Sequence, residues 1–466
     1  MTSEQRVVVI GGGLAGLRLA QRLGPAAAVT VLGEESHVPY NRVLLAEVLA
    51  GRYAPEVTAL PAPGPALRRG VRAVRIDRAE RAVHGDDGTV ERYDTLVLAT
   101  GSNAVLPPLR GLFEPEGRDL PDGVHAFRTM DDCLALSAAV RPGVRVVVIG
   151  GGLLGVSAAR ALAARGAVVV LAQQGERLME RQLDADASAL LATHLTDLGV
   201  EIHTECRVRG LITSSTAPLN PAPPAFEARD AGRSPGLSAP PAFEARDAGR
   251  SPGLSAPPAF EARVRAEPGR RRGGDTPRKV TGVELADGYR LDADLVVLAC
   301  GVRPRTGLAQ AAGLEIRKGI VVDDRLRTSD PRIHAIGDCA EHAGQVYGLA
   351  GAALEQADAL AAVLTGGGPA RYTGTRALTR LTLGGAEHGS LDLAAFGETT
   401  PRPGDDVVRL ADATRRTYRK VVLRGGDLVG GVLLGELSTV GALARTWEGG
   451  ESPHDLFHLL TDDGGH

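Results

Sequence analysis

The stretch Val7-Val8-Val9-Ile10-Gly11-Gly12-Gly13-Leu14-Ala15-Gly16 decides the fold of this chain. Its first four residues are apolar and favour β-structure, which predicts a short strand that is buried on both faces. The glycines then predict a tight turn. Behind the turn, a helix is predicted by the spacing of the apolar residues Leu17, Leu19, Ala20 and Leu23.

The glycines of this turn have different uses, and together they indicate a phosphate-binding role. Gly11 can adopt backbone angles that other residues avoid, Gly13 lets a pyrophosphate approach the main chain, and Gly16 lets the helix pack closely on the strand. The helix N-terminus faces the phosphate with free N–H groups and a partial positive charge. Strand, glycine turn and helix in this order therefore predict a dinucleotide site.

Two acidic residues follow the second strand of this unit. Val29-Thr30-Val31-Leu32-Gly33 is an apolar run, and Glu34 and Glu35 come directly after it. They lie near the spacing of about 20 residues at which an acidic side chain meets an adenosine ribose. We predict that Glu34 makes this contact, with Glu35 as the alternative.

The whole unit recurs at Val146-Val147-Val148-Ile149-Gly150-Gly151-Gly152-Leu153-Leu154-Gly155, with a helix predicted over 158–164 and a strand over 167–171. One glycine-rich turn in a chain with 60 glycines is a weak signal. Two copies, each between the right elements, are hard to obtain from composition alone. The second set of phosphate-facing glycines is Gly150, Gly152 and Gly155. The repeat predicts two dinucleotides in two domains.

The composition excludes several classes of function. The chain has 466 residues, enough for two to four domains with sizeable cores. Its net charge of −3 gives no sign of nucleic-acid or membrane binding. No apolar run approaches the roughly 20 residues of a membrane span, and residues 1–4 leave no room for a signal peptide. We therefore expect a soluble, cytoplasmic protein that contacts neither nucleic acid nor membranes.

The cysteines give no sign of a metal or dithiol centre. Four are present and widely separated, so they form no CxxC pair, zinc spacing or iron–sulfur run. We expect small, buried residues rather than reagents at all four positions, Cys133, Cys206, Cys300 and Cys339.

A low-complexity insertion occupies roughly residues 214–278. A 17-residue unit begins at Pro223, repeats at Pro240 and begins again at Pro257. Each unit holds only one Phe and one Leu among Pro, Gly, Ser and charged residues, too little apolar surface to offset the entropy of ordering. We predict a disordered loop between two strands, and a partner-binding segment is the alternative.

Three further stretches complete a family pattern. They are Ala99-Thr100-Gly101 at the end of one apolar strand, Ala299-Cys300-Gly301-Val302-Arg303-Pro304 at the end of another, and Ile336-Gly337-Asp338. With the paired glycine motifs, the chain resembles the pyridine nucleotide–disulfide oxidoreductase superfamily over almost its whole length except the insertion. The resemblance implies an NAD(P)H-dependent oxidoreductase that contains FAD.

This resemblance implies an α/β fold with two Rossmann-like dinucleotide-binding domains and a small C-terminal α+β domain. Residues 1–120 and 306–370 are expected to form the FAD-binding domain, ending in a strand over 333–338 and a helix over 350–364. Residues 121–305 are expected to form the NAD(P)-binding domain, which carries the insertion. Residues 371–466 are expected to form the C-terminal domain, with five strands between 379 and 434.

The resemblance also implies the cofactor contacts. FAD is expected to contact Gly11, Gly13, Gly16, Glu34, Arg42, Thr100, Gly101, Asp338 and Gln356. NAD(P)H is expected on Gly150, Gly152, Gly155 and Gly301. A helix cap is the alternative for Asp338. No protein side chain is assigned as catalytic, because the flavin itself carries the hydride, and no metal is expected.

A narrower resemblance concerns Tyr40-Asn41-Arg42-Val43-Leu44-Leu45 and Leu178-Met179-Glu180-Arg181-Gln182-Leu183-Asp184. Both are similar to the flavin portion of assimilatory nitrite reductase large subunits and to electron-transfer subunits of nitrate assimilation. The implied partner is a separate siroheme and iron–sulfur nitrite reductase, or a nitrate reductase. The alternatives are a reductase for a small rubredoxin- or ferredoxin-like carrier and a flavin-based redox sensor. A homodimer is possible.

Three departures from the family pattern matter. Carrier reductases pair a Lys and a Glu beside the flavin, whereas this chain has Glu47 and Ser157 at those positions. Dithiol reductases carry a Cys pair where this chain has residues 40–47 without Cys. The second acidic position is filled by Gln173-Gln174, which leaves the choice between NADH and NADPH open, with a weak preference for NADH.

Overall fold

The structure is a computed structural model that describes residues 5–61, 66–113, 119–214, 278–366, 371–384, 390–412, 414–435, 437, 440–447 and 449. The predicted disordered insertion, except for its two end residues, lies outside the described residues. Secondary structure is therefore given for the described ranges alone.

The strand–helix–strand order occurs at both glycine turns, and the other elements lie between and after these two units along the chain. Strands before the insertion are β1 Arg6–Ile10, β2 Ala28–Gly33, β3 Leu67–Arg69, β4 Ala73–Asp77, β5 Ala82–Gly85, β6 Val90–Arg92, β7 Thr95–Leu98, β8 Ser102–Ala104, β9 Val124–Ala126, β10 Arg145–Ile149, β11 Val168–Ala172, β12 Val200–His203 and β13 Val208–Ser214. Strands after it are β14 Lys279–Leu285, β15 Arg290–Asp292, β16 Leu295–Leu298, β17 Val302–Pro304, β18 Ile320–Val322, β19 Ile333–Ala335, β20 Ala340–His342, β21 Leu378–Leu383, β22 Leu391–Gly397, β23 Asp406–Asp412, β24 Thr417–Arg424 and β25 Asp427–Gly435. The helices are α1 Leu14–Leu23, α2 Leu45–Leu49, α3 Met130–Ala139, α4 Leu153–Ala163, α5 Ala185–Asp197, α6 Gly307–Ala311, α7 Ala350–Thr365 and α8 Val440–Trp447.

Two parallel five-stranded sheets carry the glycine turns. The first has the order β19-β7-β1-β2-β3, and the second has the order β12-β11-β10-β16-β9. β1 and β10 each lie between two partners, so residues 7–10 and 146–149 are apolar on both faces and buried. The predicted α/β fold with two Rossmann-like units is confirmed.

The C-terminal sheet is antiparallel, with the order β21-β22-β25-β24-β23. One face packs on α8 through Phe396, Leu433 and Leu443. The other face supplies residues such as Leu393 and Val432 to a core that also contains α2, α3 and α4. The C-terminal sheet is therefore packed against the second glycine unit rather than standing apart from it.

A short ribbon joins the two parallel sheets. β8 follows the Ala-Thr-Gly end of β7, and β17 follows the corresponding Ala-Cys-Gly end of β16. The two strands pair antiparallel, Ser102 with Pro304 and Ala104 with Val302. The chain thus crosses between the units twice, side by side.

One strand prediction is wrong in its end point, and one strand was missed. The strand predicted over 333–338 ends at Ala335, because Gly337 has φ +76° and starts a 3-10 turn over Gly337–Cys339. β3 was not predicted, because Leu67-Arg68-Arg69 carries a single apolar residue and shows no alternation.

Two negative findings concern the part of the chain that the structure describes. Within it, no helix combines the length and apolar character needed to cross a membrane. The same residues hold no group of three or more His, Cys, Asp or Glu side chains arranged to bind a metal ion. The structure therefore identifies no metal-binding group among the residues it describes.

Candidate functional site

A single cavity of about 2690 Å³ runs along the carboxyl ends of both parallel sheets. Residues 11–13 of the first glycine turn and residues 150–152 of the second both line it. β21 of the C-terminal sheet contributes residues 378–382 to a further wall. In open α/β sheets ligands bind at this edge of the strands, so the two turns face one shared space.

The first glycine turn has the geometry that a pyrophosphate requires. Gly11 has φ +124°, and a Cβ there would lie 2.0 Å from the Ala99 carbonyl oxygen. A Cβ on Gly16 would lie 2.1 Å from the Gly11 carbonyl oxygen, so α1 packs on the turn at backbone contact. Around Gly13, by contrast, a Cβ would meet nothing within 4 Å, and no side chain caps the helix there. The turn thus leaves the helix N–H groups open to a ligand.

The second turn repeats this geometry. Gly150 has φ +110°, with its would-be Cβ 2.5 Å from the Ala299 carbonyl oxygen. A Cβ on Gly155 would lie 1.7 Å from the Gly150 carbonyl oxygen, whereas one on Gly152 would meet nothing. α4 also begins without a side-chain cap. Both turns therefore fit a dinucleotide phosphate at the same place.

The two acidic residues after β2 both line the cavity and have different partners. Glu34 forms an ion pair with Arg305, which comes from the stretch after β17. Glu35 accepts a hydrogen bond from the Tyr40 hydroxyl at 2.7 Å and pairs with Arg42. The sequence-predicted Glu34 and Arg42 are thus both at the cavity, where Glu34 is paired with Arg305 and Arg42 with Glu35.

Asp338 lies at the cavity in a network that sequence reasoning missed. Its Oδ2 accepts hydrogen bonds from Arg128 Nη2 at 2.7 Å and from Ser102 Oγ at 2.9 Å. Burial lowers the pKa of the Arg128 guanidinium, and the charge of Asp338 opposes that shift. No sequence motif marks Arg128, although it directly precedes the capping box formed by Thr129 and Asp132.

The two strand-end glycines flank the ribbon between the sheets. Gly101 has φ +71° and Gly301 has φ +93°, and both line the cavity. The Val105 N–H donates to the Gly301 carbonyl, and Thr100 Oγ1 donates to the Arg305 carbonyl at 2.8 Å. The structure thus brings the predicted Thr100, Gly101 and Gly301 to one region.

Gln356 is placed differently from the expectation. It is buried on α7 and is not among the residues that line the cavity. Its Oε1 accepts from the Gly337 N–H at 2.7 Å, and its Nε2 donates to the Tyr372 hydroxyl at 3.4 Å. Gln356 therefore holds the turn that carries Asp338, instead of facing the cavity itself.

The thiols are unsuited to act as nucleophiles near neutral pH. All four cysteines are free, and Cys206 and Cys300 line the cavity. Burial raises the pKa of Cys300 to about 11 and that of Cys133 to about 11. Because thiolate is the reactive form, these side chains are neutral and slow to react.

The strand end of the second unit carries amides and cations. Gln173 Oε1 accepts from the Gly151 N–H at 2.7 Å, so this side chain caps the glycine turn. The Cys206 N–H donates to the Gln173 carbonyl at 2.9 Å, which places Arg207 beside the strand end. Arg181, Arg207 and Arg209 all line the cavity here, together with Glu180. The charged lining residues at this end carry a net positive charge.

Fold and site together define an α/β protein with two dinucleotide sites that open into one cavity. Residues 5–220 and 261–357 match the family "Pyridine nucleotide-disulphide oxidoreductase". The chain belongs to this family. The predicted superfamily, enzyme class and cofactors are confirmed, so the protein is an FAD-dependent NAD(P)H oxidoreductase.

Curated relatives carry names from nitrogen assimilation and from electron transfer. The chain is 29% identical over 445 residues to "Nitrite reductase [NAD(P)H]" of Bacillus subtilis, covering 93% of this chain and 46% of that protein. It is 28% identical over 443 residues to the "Assimilatory nitrate reductase electron transfer subunit" of the same organism, covering 93% and 48%. It is 30% identical to a "Probable ferredoxin reductase" of Castellaniella defragrans, covering 72% and 68%. The chain thus spans about half the length of the first two relatives.

Solved structures share the fold over more than nine-tenths of the chain. The covalent putidaredoxin reductase–putidaredoxin complex matches with a TM-score of 0.72 at 24% identity, covering 100% of both chains. The ferredoxin reductase for the CYP199A2 system from Rhodopseudomonas palustris matches with a TM-score of 0.68 at 25% identity, covering 92% and 91%.

Proposed function

We propose that this chain passes electrons from NAD(P)H through FAD to a separate acceptor protein of nitrite or nitrate assimilation. The observation that carries the proposal is the pair of open glycine turns on one cavity, in a chain without a thiol pair at residues 40–47. Similarity to the nitrite reductase and to the nitrate reductase electron transfer subunit supports the acceptor class.

In this proposal the first unit binds FAD. The residues that would hold it are Gly11, Gly13, Gly16, Glu34, Arg42, Thr100, Gly101 and Asp338, with Gln356 acting through the Gly337 turn. NAD(P)H would lie on Gly150, Gly152, Gly155 and Gly301. FAD, when bound, supplies the hydride acceptor and stores two electrons. The protein aligns the two nucleotides and neutralises phosphate charge with helix N-termini.

The domain division is part of the same proposal. β19 pairs with β7 in the first parallel sheet, which supports assigning 1–120 and 306–370 to the FAD-binding domain. β9 and β16 pair in the second sheet, which supports an NAD(P)-binding domain over 121–305. Residues 371–466 would form the C-terminal domain.

An acceptor protein is required by electron counting. Reduction of nitrite to ammonia takes six electrons, whereas FAD holds two. The thiols at the cavity are neutral, and the described residues offer no metal cluster in addition. The electrons would therefore reach the acceptor in several successive transfers through a protein contact.

The test uses the purified protein with FAD. We expect a yellow protein that is bleached anaerobically by NAD(P)H, that reduces ferricyanide, and that forms no ammonia from nitrite. Ammonia should form once a siroheme and iron–sulfur nitrite reductase is added. Formation of ammonia without that partner would contradict the claim that a separate protein reduces nitrite. A colourless protein that FAD cannot reconstitute would contradict the whole proposal.

A second candidate is a reductase for a small iron–sulfur carrier. One observation favours it: the chain is 30% identical to the "Probable ferredoxin reductase" of Castellaniella defragrans over 68% of that protein, whereas only about half of the nitrite reductase is covered. Reduction of a ferredoxin-like carrier by NAD(P)H, with no transfer to nitrite reductase, would favour this candidate. The homodimer that the sequence leaves open can be checked by light scattering.

A further inference from the structure

The largest fully buried polar side chain near the cavity is Arg160, which lies one helical turn after Ser157 on α4. Its side chain is only 1% exposed. Nη2 donates to Glu47 Oε1 at 2.6 Å, and Nη1 donates to the Gly384 carbonyl at 3.0 Å. Ser157 takes no part, because its hydroxyl donates to the Leu153 carbonyl of its own helix. Arg160 therefore links α4 to α2 and to the end of β21.

A second arginine closes the same cluster. The other oxygen of Glu47 pairs with Arg52 Nη2. A Cβ on Gly384 would lie 2.0 Å from Arg52 Nη1, so this guanidinium packs directly on the glycine. Glu47 is thus bridged by two arginines that both reach Gly384. We call these four residues the Glu47 cluster.

The Glu47 cluster forms part of the cavity wall. Glu47 and Arg52 line the cavity, and Gly384 directly follows β21, the strand that contributes residues 378–382 to it. Arg160 supports the wall from behind, because it does not line the cavity itself. The cluster joins one helix from each nucleotide unit to the C-terminal sheet at the place where the three meet.

Because Arg160 is buried, losing its carboxylate partner is costly. Burial lowers the pKa of Arg160, and Glu47 is the carboxylate that opposes the shift. A buried guanidinium that loses its carboxylate leaves an uncompensated charge, so Glu47 and Arg160 hold each other in one geometry. Because close-packed interiors transmit strain, we expect a displacement of β21 to move both helices.

We propose that Glu47, Arg52 and Arg160 are positioning residues for hydride transfer, which fix the C-terminal strand against both nucleotide units so that the two nucleotides are held in line. The inference rests on the proposed function. None of the three residues is assigned a chemical step. Misalignment by about 1 Å can slow a reaction on the order of a hundredfold, which is the size of effect that such a cluster controls.

The test compares Arg160→Leu with Arg165→Leu as a matched control. Arg165 follows the same helix and also donates two hydrogen bonds, to the carbonyl and hydroxyl of Ser137, but it does not line the cavity or touch the C-terminal sheet. In R160L we expect FAD content to be unchanged and reduction at saturating NAD(P)H to slow by about 10- to 100-fold. Half-saturation should change little, because Arg160 lies behind the wall. R165L should reduce normally.

Hydrogen exchange of the FAD-free protein gives a second readout. R160L should exchange faster than wild type and R165L in peptides covering both 45–52 and 378–384. If R160L fails to fold, Arg52→Leu replaces it, because the Arg52 side chain is 39% exposed and its removal leaves Glu47 paired with Arg160. This variant should also speed exchange at 378–384.

Equal behaviour of the Glu47-cluster variants and R165L in both readouts would overturn the inference. Failure of the wild-type protein to be reduced by NAD(P)H would instead refute the proposed function, and the exchange comparison would still test the linkage.

Discussion

Gly16→Ala and Gly13→Ala, two substitutions in the first glycine turn, should have different effects. We expect Gly16→Ala to lower the stability of the protein and Gly13→Ala to weaken FAD binding. A Cβ on Gly16 would lie 2.1 Å from the Gly11 carbonyl oxygen, against about 3.4 Å for ordinary contact. The obstacle is backbone, so α1 must move away from the turn. Overpacking of this severity costs about 3 kcal/mol, which lowers Tm by roughly 6–12 °C for a unit of 150–250 residues.

Gly13→Ala should have the opposite profile. Its Cβ would meet nothing within 4 Å, and its φ of −87° suits any residue. Loss of glycine at this N-cap costs about 1 kcal/mol or less, so the apo protein should keep its stability. The added methyl occupies the space through which a pyrophosphate approaches the main chain, so FAD affinity should fall at least tenfold.

The assay is thermal unfolding of both apo variants, followed by FAD titration of each folded protein. Equal destabilisation by G13A and G16A, or full FAD affinity in G13A, would refute the reasoning that assigns packing to one glycine and phosphate access to the other. Gly152→Ala and Gly155→Ala provide the same comparison in the second unit, where the corresponding distance at Gly155 is 1.7 Å.

The remaining predictions concern the thiol, the insertion and the nucleotide. Because burial raises the pKa of Cys300 to about 11, its iodoacetamide labelling should keep accelerating up to about pH 11; a plateau by pH 9 in mass spectrometry would contradict this. Replacing 215–277 by a short glycine-containing turn should preserve FAD content and reduction, since Ser214 and Lys279 already pair; a soluble variant that no longer binds nucleotide would show the opposite. Arg181, Arg207 and Arg209 line the cavity near Gln173, which leads us to predict NADPH, whereas the sequence alone favours NADH. Calorimetry should therefore find that 2′,5′-ADP binds more tightly than 5′-AMP, and Arg207→Leu should remove the difference. Equal affinities in the wild-type protein would restore the NADH preference.

The parts of the site that could be predicted from the sequence are the local ones. Gly11, Gly16 and the strand before them lie within ten residues of each other, so their backbone demands appear as one readable motif. The same holds for the helix predicted over 350–364, which the structure places at Ala350–Thr365. The backbone geometry of such a short segment is determined mainly by the residues within that segment, so it can be read from them.

Side-chain partners could not be predicted, because they are distant in the chain. Arg128 lies 210 residues from Asp338, and Arg305 lies 271 residues from Glu34. Nothing in a single sequence couples such positions. Gln356 illustrates the same limit: its helix was found, but which way its amide points depends on where the Gly337 turn packs.

The ribbon of β8 and β17 restricts where this chain can change length. The two crossings pair residue by residue, Asn103 with Arg303 at the centre. One inserted residue in either crossing would shift the pairing by about 3.3 Å and turn alternate side chains to the opposite face. One glycine turn would then be displaced relative to the other. Insertions and deletions should therefore be rejected at these two crossings, even though more than sixty residues separate the paired ends of β13 and β14.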